Sequence, residues 1–199
     1  MKTPRILYYL CIIACTLMSC NRISPDWQDE MNMQVAELST FLNDNYTIGD
    51  SVYFQNWQRN SILNEYIPED IRGFVVTENY IKPFTRTILG IDDAAGVVGR
   101  LEGYNLVLVL QGGADKLHFE LTCGIENERI PYSCGKLLVN DIKTEDDYNG
   151  ITIQEDSLTV MGKNAYFVLQ RNVGILLWCH RYKNCTSIQS SSEWRLLTR

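Results

Sequence analysis

The sequence predicts an α+β fold, in which an N-terminal helical segment precedes an antiparallel β-sheet domain closed as a sandwich or small barrel. Three observations carry this. Between Pro25 and about residue 45 the apolar residues Trp27, Met31, Val35, Leu38 and Leu42 recur at helical spacing. From Gly73 onward the apolar period changes to two. The short apolar runs that follow are separated by turn-forming residues, with no helical pattern between them.

The first helix has a start signal in Ser24, Pro25 and Asp26: a capping hydroxyl, proline at the first helical position and an acid in the first turn. Its polar face is acidic, with Asp29, Glu30, Glu37 and Asp44, whereas helices that lie on membranes carry Lys and Arg there. Its apolar stripe is therefore expected to pack in a core. A second, shorter helix is expected between Ser51 and Tyr66, capped by Asp50 and ended by Pro68, which puts the helical part at about residues 25–66 and the β-rich part at 73–199.

Phe74, Val76 and Phe84 to Ile88 read as strand material broken at Pro83, and Ile91 to Gly99 as a loop. Tyr104 to Leu110 and Lys116 to Cys123 flank Gly112-Gly113-Ala114-Asp115, a hairpin signal. The alternation in the return strand turns Leu117, Phe119, Leu121 and Cys123 to the core and His118 to water. A meander follows, from Ile151 to Gln154, Leu158 to Met161, Tyr166 to Gln170 and Val173 to Tyr182.

The segment before the helix has its own logic. Lys2 and Arg5 precede the apolar run Ile6 to Thr16, of the ~7–15 residues of a signal-peptide core, and Leu17-Met18-Ser19-Cys20 closes it. These residues resemble the lipobox of bacterial lipoproteins. The resemblance implies cleavage after Ser19, acylation of Cys20, residues 1–19 as signal peptide, 20–24 as a lipidated tether and 25–199 as one globular domain. Asn21 is not the aspartate that retains members of that family in the inner membrane, so the resemblance also implies a cell-envelope location, the outer membrane favoured, with the membrane engaged through the lipid. A spanning helix would need ~20 apolar residues, and Asn21, Arg22, Pro25 and Asp26 end the run too early.

Without residues 1–19, which hold Lys2 and Arg5 and no acid, the 18 basic residues become 16 against 24 acidic ones, a formal charge of −8. Scattered single cations on an acidic chain exclude a nucleic-acid partner, which would need a clustered basic face. Beyond Cys20, the remaining cysteines of the exported part are Cys123, Cys134, Cys179 and Cys185. An even set in an exported chain points to disulfides. Spacing favours Cys123 with Cys134 and Cys179 with Cys185, although other pairings stay open. Cys179, His180 and Cys185 also raise a zinc reading, but Cys179 and His180 would point to opposite faces of a strand.

The signatures of common enzymes are absent: no G-x-S-x-G, no phosphate loop, no H-E-x-x-H and no G-x-G-x-x-G. No catalytic residue and no cofactor is assigned. Glu145, Asp147, Asn149, Gly150 and Asp156 occupy positions that resemble an EF-hand calcium loop. The glutamate at the first position, the shorter aspartate at the last and strand-like flanks depart from it, and a β-turn at Asn149-Gly150 accounts for the same residues. Asp50-Ser51-Val52 and Asp156-Ser157-Leu158 resemble the Asp-Ser/Thr-apolar tripeptide on which Bacteroidota-type envelope proteins carry O-linked glycans, which makes Ser51 and Ser157 candidate glycosylation sites. The expected function is a non-enzymatic binding or interaction module at the envelope, with a protein or glycan partner. An immunity-type protein that captures a toxin and a hydrolase of envelope or nutrient polymer are the alternatives. Trp194 and Tyr182 are the aromatics expected to anchor a protein partner.

Overall fold

The computed structural model describes residues 25–60, 62–63, 65–89, 98–126, 130–141, 149–162, 165–180 and 192–198. Helix α1 (Pro25–Phe41) is followed by a 3-10 turn at Asn43–Asn45 and ten strands: β1 (Ser51–Asn60), β2 (Glu65–Leu89), β3 (Val98–Gly112), β4 (Asp115–Glu126), β5 (Ile130–Val139), β6 (Asn149–Gln154), β7 (Ser157–Met161), β8 (Ala165–Gln170), β9 (Gly174–His180) and β10 (Ser192–Thr198). Each strand pairs antiparallel with its neighbours in sequence, and β10 returns to pair with β1, so the sheet closes into a barrel. Of the two closures the sequence left open, the barrel is the one formed.

The alternation that predicted the central hairpin builds the barrel interior. Leu106, Leu108 and Leu110 of β3 stand opposite Leu121, Phe119 and Leu117 of β4, and Phe119 and Leu117 stand opposite Leu137 and Val139 of β5. All are buried in one core with Phe54, Phe74, Phe167, Leu169 and Ile175. Phe119 and Phe167 meet edge to face, their ring centroids 5.3 Å apart. Gly113, with φ +58°, supplies the left-handed residue of the two-residue turn between Gly112 and Asp115.

Helix α1 sets its apolar stripe on this interior. Leu38, Phe41 and Leu42, with Tyr46 just beyond, belong to the barrel core, and Met31 is buried as well. The helix has no basic residue in its own last turn. Its C-terminus is held by the turn between β8 and β9 instead: Asn172 N–H donates to Thr40 O (2.9 Å), and the Arg171 guanidinium donates to Thr40 Oγ1 (3.1 Å) and lies 4.5 Å over the Phe41 ring. The 3-10 turn is fastened by a pair of amides, Asn43 Nδ2 donating to Val107 O (3.1 Å) while Asn79 Nδ2 donates to Asn43 O (2.9 Å) and Tyr46 O (2.6 Å). The Tyr46 hydroxyl accepts from Ile175 N–H at 2.8 Å beside Gly174, whose φ of +89° and lack of Cβ leave room for the ring.

Three expectations are corrected. The second helix between Ser51 and Tyr66 does not form, because residues 51–60 are strand β1, with Val52 and Phe54 buried and Tyr53 exposed in a period of two. Strands therefore begin at Ser51 and not at Gly73. Strand β2 is not broken at Pro83: it runs unbroken from Glu65, pairing first with β1 and then with β3, where Pro83 stands opposite Tyr104. Alternate residues of an antiparallel ladder point their N–H away from a given neighbour, so a strand can carry a proline without losing its pairing. Of the expected loop Ile91 to Gly99, residues 91–97 lie outside the described set and Val98 and Gly99 are strand. Among the described residues no helix is long and apolar enough to cross a membrane.

Candidate functional site

Inward-facing residues of five strands converge on a pocket of about 190 Å³ within the barrel, lined by Arg72 and Phe74 of β2, Asp115 and Leu117 of β4, Val139 of β5, Trp178 of β9 and Ser192 and Trp194 of β10. Phe74, Leu117 and Val139 make apolar walls. Arg72 and Asp115 stand at the rim, their side chains 49% and 33% exposed, and form an ion pair at 2.5 Å. We call this end of the interior the mouth.

The aromatic wall of the mouth is a layered stack. Trp178 and Trp194, directly opposite in the β9–β10 ladder, stack with centroids 5.5 Å apart and planes 8° from parallel. Arg72 lies over the Trp194 ring at 5.0 Å, and Phe54 meets Trp178 edge-on at 6.2 Å. Asp115 is oriented from its other side by Asn140 Nδ2 (3.2 Å), and Asn140 Oδ1 in turn accepts from Lys116 N–H (2.7 Å). Within this shell Trp178 is only 5% exposed, yet its indole N–H has no hydrogen-bond acceptor among the described residues. Asn56 Oδ1, on the residue opposite Trp194 in β1, is likewise buried without a partner among them. A buried donor without an acceptor is rare and costly.

A second polar cluster lies on the outer wall. His118, Glu120 and Thr122 of β4 share that face with Cys134 and Lys136 of β5, with Glu120 directly opposite Lys136 and Thr122 opposite Cys134. The His118 imidazole, with Lys136 next in strength among the charges, holds the Glu120 carboxyl below the usual glutamate range in spite of its burial. His118 faces outward as expected, but its Nε2 is buried, 3.5 Å from Glu120 Oε2, so it lies against a carboxylate and not in open water. A further pocket of about 280 Å³ lies between α1 and the wall, lined by Gln34, Glu37, Leu38, Cys123, Pro131, Tyr132, Ser133 and Ile153.

The expected disulfide between Cys123 and Cys134 is not made. Cys123 stands opposite Ser133 while Cys134 stands opposite Thr122, one residue out of step, so the two thiols point to opposite faces of the sheet. Cys123 and Cys134 are free and buried, and Cys179 is buried as well. Burial pushes the Cys123 thiol up to about 11 and raises Cys134, whose sulfur lies 3.0 Å from the Tyr132 hydroxyl. Cys185, the expected partner of Cys179, and Cys20, the expected acylation site, lie outside the described residues, as do Glu145 and Asp147 of the calcium-like loop and Tyr182. Asn149 begins β6, and Asp156 lies in the β6–β7 turn 3.6 Å from Arg171 Nε. Among the described residues no group of three His, Cys, Asp or Glu is placed to hold a metal ion. Ser51 opens β1 as an exposed residue; Ser157 opens β7, where its hydroxyl donates to Gln154 O at 3.0 Å. Trp194 is not an exposed anchor: it is 9% exposed and stacked inside the barrel.

Sequence reasoning singled out Trp194 but missed Arg72, Asp115, Trp178 and Ser192 as its companions. They come from four strands, and only the register brings them together. No protein-family model, curated protein or solved structure matches the chain.

Proposed function

We propose that this chain is a lipid-anchored envelope protein whose barrel binds a small ligand at its mouth without transforming it. The observation that carries the reading is the pocket of about 190 Å³ with Arg72, Asp115 and Ser192 among its lining, at whose wall the Trp178 indole N–H is buried without an acceptor among the described residues. The stack of Arg72, Trp194 and Trp178 supports it, because a preformed wall loses little entropy on binding. The lipobox resemblance at Cys20 supports the location. His118 lies on the outer wall, away from the mouth lining, which favours binding over acid–base chemistry there.

The test has two parts. Thermal unfolding of the acylated protein against a small-molecule library should show saturable stabilisation by at least one compound, lost on Arg72→Ala. A library that shifts nothing, or a shift untouched by Arg72→Ala, refutes mouth binding. For the anchor, Cys20→Ala should accumulate unprocessed precursor and leave the detergent phase; a variant that partitions like the parent refutes acylation.

A further inference from the structure

The polar groups of the mouth define which chemistry fits, given the reading of the mouth as a ligand site. Arg72 donates only and Asp115 accepts only, and they already neutralise each other at 2.5 Å. A carboxylate entering there would face Asp115, and an ammonium would face Arg72, whose guanidinium does not lose its proton. A hydroxyl both donates and accepts, so two neighbouring hydroxyls can take a hydrogen bond from Arg72 and give one to Asp115 while the ion pair stays whole. The indole N–H of Trp178 asks for one further acceptor, and the Ser192 hydroxyl offers itself in either sense. Phe74, Leu117 and Val139 present apolar wall to the C–H face of such a ring. The volume of about 190 Å³ falls below the ~300–1,000 Å³ of sites for drug-sized molecules and matches one small ring.

We infer that the mouth binds one neutral sugar ring through vicinal hydroxyls, held between Arg72 and Asp115 with an oxygen on the Trp178 N–H. Free sugar and the terminal residue of a glycan share this chemistry.

The test titrates the full acylated protein in detergent, following tryptophan fluorescence, with neutral monosaccharides, the oligosaccharides that end in them, and two charged rings, benzoate and benzylamine. Saturable binding of a neutral sugar is expected. Asp115→Asn, at the rim, should weaken it at least about tenfold, and Trp178→Phe, which keeps the stack and removes the N–H, about tenfold, the scale of one buried hydrogen bond. Should Trp178→Phe fail to fold, Ser192→Ala reads the same pocket from its rim, with a weaker loss. An oligosaccharide binding more tightly than its terminal sugar identifies a glycan end; equal affinity identifies the free sugar. Binding of benzoate or benzylamine alone overturns the sugar assignment and leaves the mouth as a ligand site. Binding of none of the probes, together with a library that shifts nothing in the thermal assay, overturns both.

Discussion

Arg171 is one of the residues through which the barrel holds its helix, and Arg171→Ala should show how much that attachment is worth. Its guanidinium covers the Phe41 ring at 4.5 Å, a contact of about 1 kcal/mol for a partly buried cation. It donates to Thr40 Oγ1 at 3.1 Å, worth about 1 kcal/mol net. It also approaches Glu37 at 3.3 Å and Asp156 at 3.6 Å, but these carboxylates are 48% and 77% exposed, so solvent screening leaves roughly 0.2–1 kcal/mol for the two. The expected loss is about 2–3 kcal/mol. Urea unfolding followed by circular dichroism should show a lower midpoint with an unchanged slope. Most of the loss should survive 1 M salt, because only the exposed pairs are screened. Arg171→Lys should recover part of it, keeping the charge without the planar fork. A loss under about 0.5 kcal/mol, or one abolished by salt, would show that surface ion pairs and not the packed guanidinium hold the helix.

Other consequences can be measured on the same protein. A Cβ at Gly135 would collide with the Val160 methyl groups, so Gly135→Ala should destabilise by about 1–3 kcal/mol and Val160→Ala should restore much of it; additive losses would place the strain elsewhere. The Glu120 carboxyl is held below its ordinary value in the folded state, so its contribution is present above the unfolded glutamate value, about 4.3, and is lost as pH falls through the folded value. Glu120→Gln should therefore flatten the acid limb of a stability–pH curve, and an unchanged limb would count against the network with His118 and Lys136. Cys123, buried and pushed up to about 11, should resist iodoacetamide at neutral pH until the protein unfolds; rapid native labelling seen by mass spectrometry would contradict its place in the core.

The parts of the fold that could be read from the sequence are those where local pattern and burial agree. Leu117, Phe119 and Leu121 alternate with polar residues, and Gly113 sits where a hairpin needs it, so β3, β4 and the later meander were visible. Strand β1 was hidden because after Val52 and Phe54 its ladder partners of β10's inward residues are the polar Asn56 and Gln58, which break the alternation. The same polarity belongs to the mouth. The cysteine pairing failed for a different reason: closeness in sequence says nothing of the half-step in register that turns Cys123 inward and Cys134 outward. Helix α1 was legible from its stripe, but its C-terminal support was not, since Arg171 and Asn172 come from a turn far along the chain.

Strand β10 occupies the seam between β9 and β1, so the earliest and latest strands of the barrel share one ladder. A polypeptide made from its N-terminus cannot complete that ladder until residues 192–198 have emerged. Until then β1 and β9 each offer an open edge to other chains. Closure joins residues far apart in sequence, so it should be the slow step of folding. It also fastens Trp194 against Trp178, so the aromatic wall of the mouth is assembled only in the finished barrel. An unfinished chain therefore has no site with which to compete for ligand.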